Sequence, residues 1–125
     1  MKHTTQKHKN RKMNSDTYSL RREVMAHVYE AKRLVPSLPR VNVRITDLID
    51  KHGTELGRAT MGGPCTVWIP ASTVAREDLR HVVFHEILHA AYGVKHDSTC
   101  PLMAPRVSRT TEAVQNARFL YHANR

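Results

Sequence analysis

The sequence predicts an α+β fold in which a small mixed β-sheet of about three strands is combined with an N-terminal, a central and a C-terminal helix. Two kinds of pattern lead to this prediction. Apolar residues recur every three or four positions over 15–34, 72–92 and 108–123, as they do on the buried face of a helix. Strands are predicted where apolar and polar residues alternate over 41–46, and where residues 65–69 form a short run rich in β-forming side chains.

The N-terminal helix is expected to begin at Ser15 or Asp16, because either side chain can cap the first turn. Pro36 ends it, since proline cannot continue the hydrogen-bond ladder. The apolar residues of its predicted buried face are Leu20, Val24, Val28, Ala31 and Val35. After the first strand, residues 47–56 are polar and contain a glycine, which indicates a loop.

The remaining elements follow from turn residues and caps. Residues 57–61 form a weak strand candidate, and a glycine-rich turn at 62–64 leads into the strand over 65–69. The central helix is expected to begin at Ser72 or Thr73 and to end at Gly93. A last helix is predicted over 108–123. The apolar residues expected on its buried face are Val114, Ala117, Phe119, and Leu120 or Tyr121.

The charge is concentrated at the N-terminus. The chain of 125 residues has a formal net charge of +9 and is short enough for one domain. Residues 1–14 contain five basic side chains and no acidic one, so they are too polar to form a core. We therefore expect a basic disordered tail over 1–14, which could contact nucleic acid weakly, and a folded domain over 15–125.

Neither membrane nor disulfide signals are visible in the sequence. No apolar run reaches the roughly 18 residues that a membrane-spanning helix needs, and the first residues lack the apolar stretch of a secretory signal. We therefore expect a cytoplasmic monomer without membrane contact. The two cysteines, Cys65 and Cys100, are too few for a disulfide scaffold or a four-cysteine zinc site, so free thiols are expected.

A potential metal site lies in the central helix, where His85, Glu86 and His89 form an HExxH pattern. Residues four apart on a helix share a face, so the two imidazoles can bind one Zn²⁺. Glu86 lies at the edge of that face, where it can take a proton from a zinc-bound water. His96 follows Gly93 by three residues and is predicted to be the third ligand. We expect one zinc ion per chain, with a fourth position left for water, as in catalytic zinc sites.

The metzincin metallopeptidases carry an extended zinc motif, HExxHxxGxxH, and residues 85–96 resemble it, reading HEILHAAYGVKH. The resemblance implies a metzincin-like zincin fold and a zinc-dependent endopeptidase that hydrolyses a peptide or protein substrate. It also implies that Glu86 is the general base and acid, and that the zinc ligands are His85, His89 and His96.

A second segment resembles the Met-turn of the metzincins, which lies below the zinc. This segment is residues 100–105, reading CPLMAP. The resemblance implies that Met103 forms the floor of the site. It also implies that Ala104 and Pro105 shape the pocket for a substrate side chain.

In the metzincins an antiparallel edge strand lies above the cleft and pairs with the substrate backbone. Residues 57–61 take that place in this sequence. The resemblance therefore implies substrate contacts by Arg58, Ala59 and Thr60. An exposed strand edge is a ready template for an extended peptide.

Alternatives remain because one residue more separates His89 from Gly93 than in the metzincin motif. Asp97 therefore stays open as the third ligand, since some small members use aspartate there. A gluzincin-type peptidase would use Glu112 in the last helix. A three-histidine, metal-dependent endoribonuclease like those that mature bacterial ribosomal RNA would suit the basic charge, although those proteins lack a glutamate at the position of Glu86. A zinc-bound binding module without catalytic activity is the last alternative.

Overall fold

The predicted α+β class and the small mixed sheet of three strands are confirmed. The computed structural model describes residues 2–46, 55–61, 64–107 and 109–125, with residues 2–16 described as helix backbone alone. Most of the loop predicted over 47–56, most of the turn predicted at 62–64, and the predicted helix start at residue 108 lie outside the described residues. The elements are α1 Lys2–Leu34, β1 Asn42–Thr46, β2 Arg58–Ala59, β3 Thr66–Pro70, α2 Ala71–Val74, α3 Leu79–Tyr92 and α4 Glu112–Ala123.

The sheet has the strand order β1-β3-β2, so β3 is central. β1 runs parallel to β3, with Val43 opposite Val67. β2 runs antiparallel to β3, with Ala59 opposite the same Val67. β3 is buried along nearly its whole length, as expected of a strand that is covered on both faces. The short β2 is therefore an edge strand, antiparallel to its neighbour, where the sequence led us to expect one.

α3 is the centre of the fold. It packs against α1, α4, β2 and β3, and 11 of its 14 residues are buried. The predicted apolar face of α1 covers one side of it through Val24, Val28 and Ala31, all of which are buried. Because α3 is enclosed on nearly all sides, its position sets where every side chain that it carries is presented.

None of the described helices combines the length and hydropathy that crossing a membrane requires.

α1 begins at Lys2 rather than at Ser15 or Asp16. The chain contains no proline or glycine before Pro36, and lysine, glutamine and arginine are good helix formers. A capping residue at 15 or 16 therefore does not have to start the helix. The division into a tail over 1–14 and a domain over 15–125 stays a prediction.

The predicted central helix is divided into two, α2 and α3, which was not expected. Val74 and Leu79 are both buried but lie five residues apart, which on one straight helix would place them about 140° from each other. The chain leaves the helix between them through turn hydrogen bonds, from the Arg76 N–H to the Thr73 carbonyl at 3.0 Å and from the Leu79 N–H to the Arg76 carbonyl at 3.3 Å. Arg76 Nε and Nη2 each donate to an oxygen of Asp78 at 2.8 Å, which holds the intervening turn.

α4 begins at Glu112, and Thr111 caps it by accepting a hydrogen bond from the Val114 N–H at 3.2 Å. The prediction for its buried face was partly wrong. Phe119 is fully buried and Leu120 is half-buried, but Val114, Ala117 and Tyr121 are exposed. The second buried residue of α4 is Gln115, one turn before Phe119. A polar side chain takes this position because a buried cation from α3 requires it.

Arg80 is that cation, and it connects α3 to α1 and α4. Its guanidinium donates to Glu30 Oε2 at 2.8 Å, to Gln115 Oε1 at 2.6 Å and to Asn116 Oδ1 at 2.6 Å. It also lies 4.3 Å from the centre of the Phe84 ring, a cation–π contact. A buried charge is tolerated only when its donors are satisfied, and these partners meet that condition. The network fixes the beginning of α3 in the fold.

We expect Glu30→Gln to reduce the free energy of unfolding by about 1–2 kcal/mol at pH 7. Burial alone raises the pKa of Glu30, but the hydrogen bond and charge of Arg80, together with those of His27, lower it below its usual value of 4.5. A carboxyl with a lowered pKa stabilises the folded state above its unfolded pKa and loses that contribution as the pH falls. The difference from wild type should therefore narrow below about pH 4.5, as measured by urea unfolding.

Glu23→Gln is the matched control, because Glu23 is an exposed glutamate on the same helix. It should change stability by less than about 0.5 kcal/mol. The interpretation of the Arg80 network is wrong if both variants behave alike at pH 7.

Candidate metal centre

Three histidine side chains converge where α3 ends and the chain turns back. Nε2 of His85 lies 3.0 Å from Nε2 of His89 and 3.2 Å from Nε2 of His96. One ligand atom from each of the three lies within 4.8 Å of the others. Tetrahedral coordination with bonds of about 2.0–2.1 Å places two nitrogens about 3.3 Å apart. The three histidines therefore lie close enough to bind one metal ion.

The other ring nitrogens are held by backbone carbonyls. Nδ1 of His85 donates to the Leu102 carbonyl at 2.8 Å, and Nδ1 of His89 donates to the Val94 carbonyl at 2.5 Å. A carbonyl can only accept, so each Nδ1 carries the proton and each Nε2 keeps its lone pair. Two lone pairs about 3 Å apart cannot satisfy each other, but a cation between them can. The donor set thus fits a metal ion.

Burial keeps these imidazoles neutral. It is the largest cause that lowers the pKa of His85, to about 4, and it also lowers the pKa of His89. The neighbouring imidazoles act in the same direction, since a second positive charge there would be repelled. Neutral imidazole is the form that binds a metal, so the site is ready for a cation near neutral pH.

The last turn of α3 accounts for the extra residue between His89 and Gly93. Gly93 has a left-handed conformation, φ 64°, and its N–H bonds to both the His89 and the Leu88 carbonyl. The Val94 N–H also reaches the Leu88 carbonyl at 3.1 Å, a bond that spans one residue more than the corresponding bond of a Schellman motif. The turn is widened, as in a π-bulge, and so absorbs the additional residue. His96 returns to the cluster despite the changed spacing.

Glu86 lies beside the histidines at the bottom of an open cleft of about 370 Å³. Its side chain is buried, with 7% of the residue surface exposed. Burial raises the pKa of Glu86 to about 7, and the negative charge of Glu55 contributes in the same direction. A carboxyl with a pKa near neutrality can both accept and release a proton under ordinary conditions.

Gly57, just before β2, passes directly over this carboxyl. A Cβ atom at Gly57 would lie 3.0 Å from both Cγ and Oε2 of Glu86, tighter than an ordinary van der Waals contact, so the carboxyl would have to shift by a few tenths of an ångström. The absence of a side chain at Gly57 lets the backbone approach Glu86 without that shift. In the sequence, Gly57 was considered only as the first residue of the weak strand candidate over 57–61. A glycine within a strand pattern can equally indicate a close backbone approach, and that was the missed signal.

The segment that resembles a Met-turn lies against the first histidine. Leu102 accepts the hydrogen bond from His85, and the next residue, Met103, is fully buried. The turn is closed by a hydrogen bond from the Ala104 N–H to the Cys100 carbonyl at 2.9 Å. The backbone carbonyl of Leu102 therefore supports the imidazole of His85, and the role of Met103 as the floor of the site stays a prediction.

The two alternative third ligands lie elsewhere among the described residues. Asp97 is exposed, and its Oδ1 accepts from the N–H and the hydroxyl of Thr99 at 2.9 and 2.6 Å. Glu112 is the first residue of α4 and lines a different hollow, together with Arg80 and His81. Neither carboxylate belongs to the described cluster, whose third member is His96.

Of the three residues expected to bind substrate through the edge strand, two line the cleft and one does not. Arg58 and Ala59 line the cleft. Thr60 does not belong to its lining, and its hydroxyl is used in the hairpin. The hydroxyl donates to the Pro64 carbonyl at 2.8 Å and accepts from the Thr66 N–H at 3.1 Å. Thr60 therefore stabilises the connection from β2 to β3.

Ala104 and Pro105 are not among the described residues that line the cleft, so their contact with a substrate side chain stays a prediction. Met61 and Lys95 also line the cleft, although neither was expected to bind substrate. Met61 lies past the end of β2, and Lys95 precedes the third histidine. Met61 was considered only as the last residue of the strand candidate over 57–61, and a lysine carries no signal in the sequence because lysines are mostly exposed.

We expect the protein to bind one equivalent of zinc and His96→Ala to weaken that binding by more than about 100-fold. Loss of a residue that only supports a ligand lowers metal affinity by about 10–100-fold, and loss of the ligand itself should lower it further. Asp97→Ala and Glu112→Ala are the matched controls and should leave the affinity within a few-fold. Competition titration with a chromophoric chelator measures all four proteins. Two zinc ions per chain, or an unchanged affinity for His96→Ala, would contradict this ligand set.

Comparison with protein-family models, with curated proteins and with solved structures finds no match. What can be said of the function of this chain therefore comes from its motifs and from the geometry of three imidazoles, one buried carboxyl and the strand edge above them.

Proposed function

We propose that this protein is a zinc-dependent endopeptidase of the metzincin type, which hydrolyses peptide bonds in a peptide or protein substrate. One observation carries the proposal. The carboxyl of Glu86 lies beside three converging imidazoles, at the bottom of a cleft whose upper side is the edge strand β2. A metal-binding set, a proton-transferring group and a strand edge are the components that hydrolysis of an extended peptide requires.

Zinc is the metal we propose for the histidine set. Three neutral imidazoles with a remaining open position are typical of catalytic zinc sites, whereas structural zinc sites use four protein ligands. Zinc bound there would lower the pKa of water and polarise a carbonyl. The hydrogen bonds from His85 to Leu102 and from His89 to Val94 hold the two rings in the orientation that such binding needs.

Glu86 performs the proton transfers in this proposal. Its carboxylate accepts a proton from the attacking water as the bond to the peptide carbonyl forms, and it then donates that proton to the leaving amine. A pKa near 7 suits both steps, because the group is neither a very weak base nor a very weak acid at neutral pH. The Gly57 backbone above Glu86 limits where the carboxyl can move.

β2 aligns the substrate. It pairs with β3 along one edge, and its residues Arg58 and Ala59 line the cleft along with Gly57. An extended peptide that adds to this sheet edge would form main-chain hydrogen bonds and lie across the imidazoles. The side chains of such a peptide alternate in direction, so every second one would point into the cleft.

A three-histidine endoribonuclease is the second candidate, and the net charge of +9 favours it. The buried carboxyl next to the first histidine favours the peptidase, since hydrolysis of a peptide requires a group that protonates the leaving amine. Incubation with single-stranded RNA alongside the peptide assays distinguishes the two functions.

Glu86→Gln should lower kcat for peptide hydrolysis by about 10²–10⁴-fold and leave zinc bound, because the amide cannot transfer the proton and Glu86 is not a ligand. The measurement is hydrolysis of a mixed peptide library, with zinc content determined on the same samples. A chelator should abolish wild-type hydrolysis, and added zinc should restore it. Loss of zinc together with activity would make Glu86 a ligand and overturn the mechanism.

Gly57→Ala should reduce both kcat and thermal stability while zinc stays bound, since the added methyl displaces the Glu86 carboxyl. In a Glu86→Ala background the colliding atoms are absent, so the same substitution should no longer destabilise. Thermal unfolding of the four proteins in this cycle measures the coupling. Additive effects of the two substitutions would show that Gly57 acts on something other than Glu86.

A further inference from the structure

Lys95 lies at the junction of two hollows beside the histidine cluster. The first is the cleft over Glu86, and the second is a neighbouring hollow of about 610 Å³ between the end of α3 and the end of α4. Lys95 and His96 line both. A chain bound across the cluster from one hollow to the other would therefore pass this lysine whichever way it ran.

The charges in the cleft are unevenly matched. Arg58 at its upper edge forms a two-fold ion pair with Glu55, at 2.7 and 2.8 Å. Lys95 is exposed, and no ion pair is formed by it within the described parts of the chain. Among the described residues that line the cleft, Glu86 has the one carboxyl, and it is buried. Lys95 thus carries the accessible charge beside the site that no carboxylate of the described residues offsets, whereas the exposed charge of Arg58 is offset by Glu55.

The side chains that line the second hollow also carry a net positive charge. Arg125 lies in it with Lys95, whereas burial lowers the pKa of His122 and favours its neutral form. Asp97 has the one side-chain carboxylate among the described residues of this lining, and it already accepts two hydrogen bonds from Thr99. The charge of a bound divalent metal would add to that of these side chains. A substrate that carries negative charge near the scissile bond is therefore attracted along the whole path.

We propose that the site prefers acidic peptides, those with an aspartate or glutamate within a few residues of the scissile bond, and that Lys95 is the side chain that selects them. The inference rests on the proposed endopeptidase function and specifies its substrate class. Lys95 determines specificity in this proposal and takes no part in the proton transfers assigned to Glu86.

An acidic peptide fits these observations better than RNA, although both are anionic. The strand edge at β2 offers main-chain hydrogen bonds to an extended peptide. The described lining of the cleft over Glu86 contains no Phe, Tyr or Trp side chain, and the second hollow contains one, the half-buried Tyr92. Proteins that bind single-stranded RNA stack its bases on such rings, so the cleft lacks that part of an RNA-binding surface.

The size of the effect follows from the exposure of Lys95. Ion pairs at exposed positions change binding by up to about five-fold. The preference should be strongest at low ionic strength and should decline at 0.5 M salt, where charges are screened beyond about 4 Å. A neutral contact would not depend on salt in this way.

The experiment compares kcat/KM for sets of peptides that are identical except for Glu, Gln or Lys at one position on either side of the cleaved bond. The proteins are wild type, Lys95→Glu, Lys95→Gln and Arg40→Glu, each loaded with one equivalent of zinc and checked for zinc content. Arg40→Glu is the matched control, because Arg40 is exposed ahead of β1, at the far edge of the sheet from β2. Arg40→Glu replaces a cation by an anion, as Lys95→Glu does.

We expect wild type to cleave a Glu peptide about five-fold faster than its Gln counterpart at low salt. Lys95→Gln should remove the preference, Lys95→Glu should reverse it toward Lys peptides, and Arg40→Glu should retain it. The proposal is overturned if wild type cleaves Glu and Gln peptides equally, or if the preference survives Lys95→Glu. Cleavage of RNA with no hydrolysis of any peptide would overturn the proposed function as well, so the two failures are distinguishable.

Discussion

The hydrogen bonds that widen the last turn of α3 decide whether three imidazoles can meet. Two of them are fixed by a single helix, and their spacing follows from helix geometry alone. The third comes from the segment after the helix, so its position depends on the direction in which the chain leaves. The left-handed Gly93 and the bonds to the Leu88 carbonyl set that direction. The same turn presents the Val94 carbonyl to the ring of His89, which fixes its tautomer.

α3 is held at its beginning and at its middle by interactions that it cannot supply itself. Near its beginning, the buried Arg80 is satisfied by oxygens from α1 and α4. At its middle, the backbone at Leu102 supports His85. Between these points the helix is surrounded by apolar side chains. Such a helix cannot rotate to expose its polar residues, so Glu86 and His85 stay buried despite the cost of removing polar groups from water. The lowered pKa of His85 and the raised pKa of Glu86 are the consequence of that burial.

The parts of the fold that depend on local patterns could be predicted from the sequence. The apolar spacing of α1, the alternation in β1 and the glycine that ends α3 each have a local cause, and the structure contains all three. The break between α2 and α3 was missed because no proline or glycine marks it in the sequence. The orientation of α4 was missed because Gln115 is buried to satisfy a cation from another helix.

The candidate site likewise combines features that have a local cause in the sequence with features that depend on tertiary structure. The relation of His85 to His89 is local and could be read from the sequence. The close approach of Gly57 to Glu86, the hydrogen bond of Thr60 within its hairpin and the position of Lys95 between two hollows depend on tertiary structure. Ala104 and Pro105 were carried over from a resemblance, and the described lining of the cleft does not include them.

The graded exposure of the three histidines has a kinetic consequence. His85 is buried, His89 is half-buried and His96 is exposed. The two inner rings belong to an enclosed helix, whereas the outer one belongs to an open segment. An incoming ion would therefore meet His96 first and complete its coordination inward, and a departing ion would detach from His96 last. Exchange of metal with a chelator in solution would then require the ion to leave the two inner rings before it leaves His96.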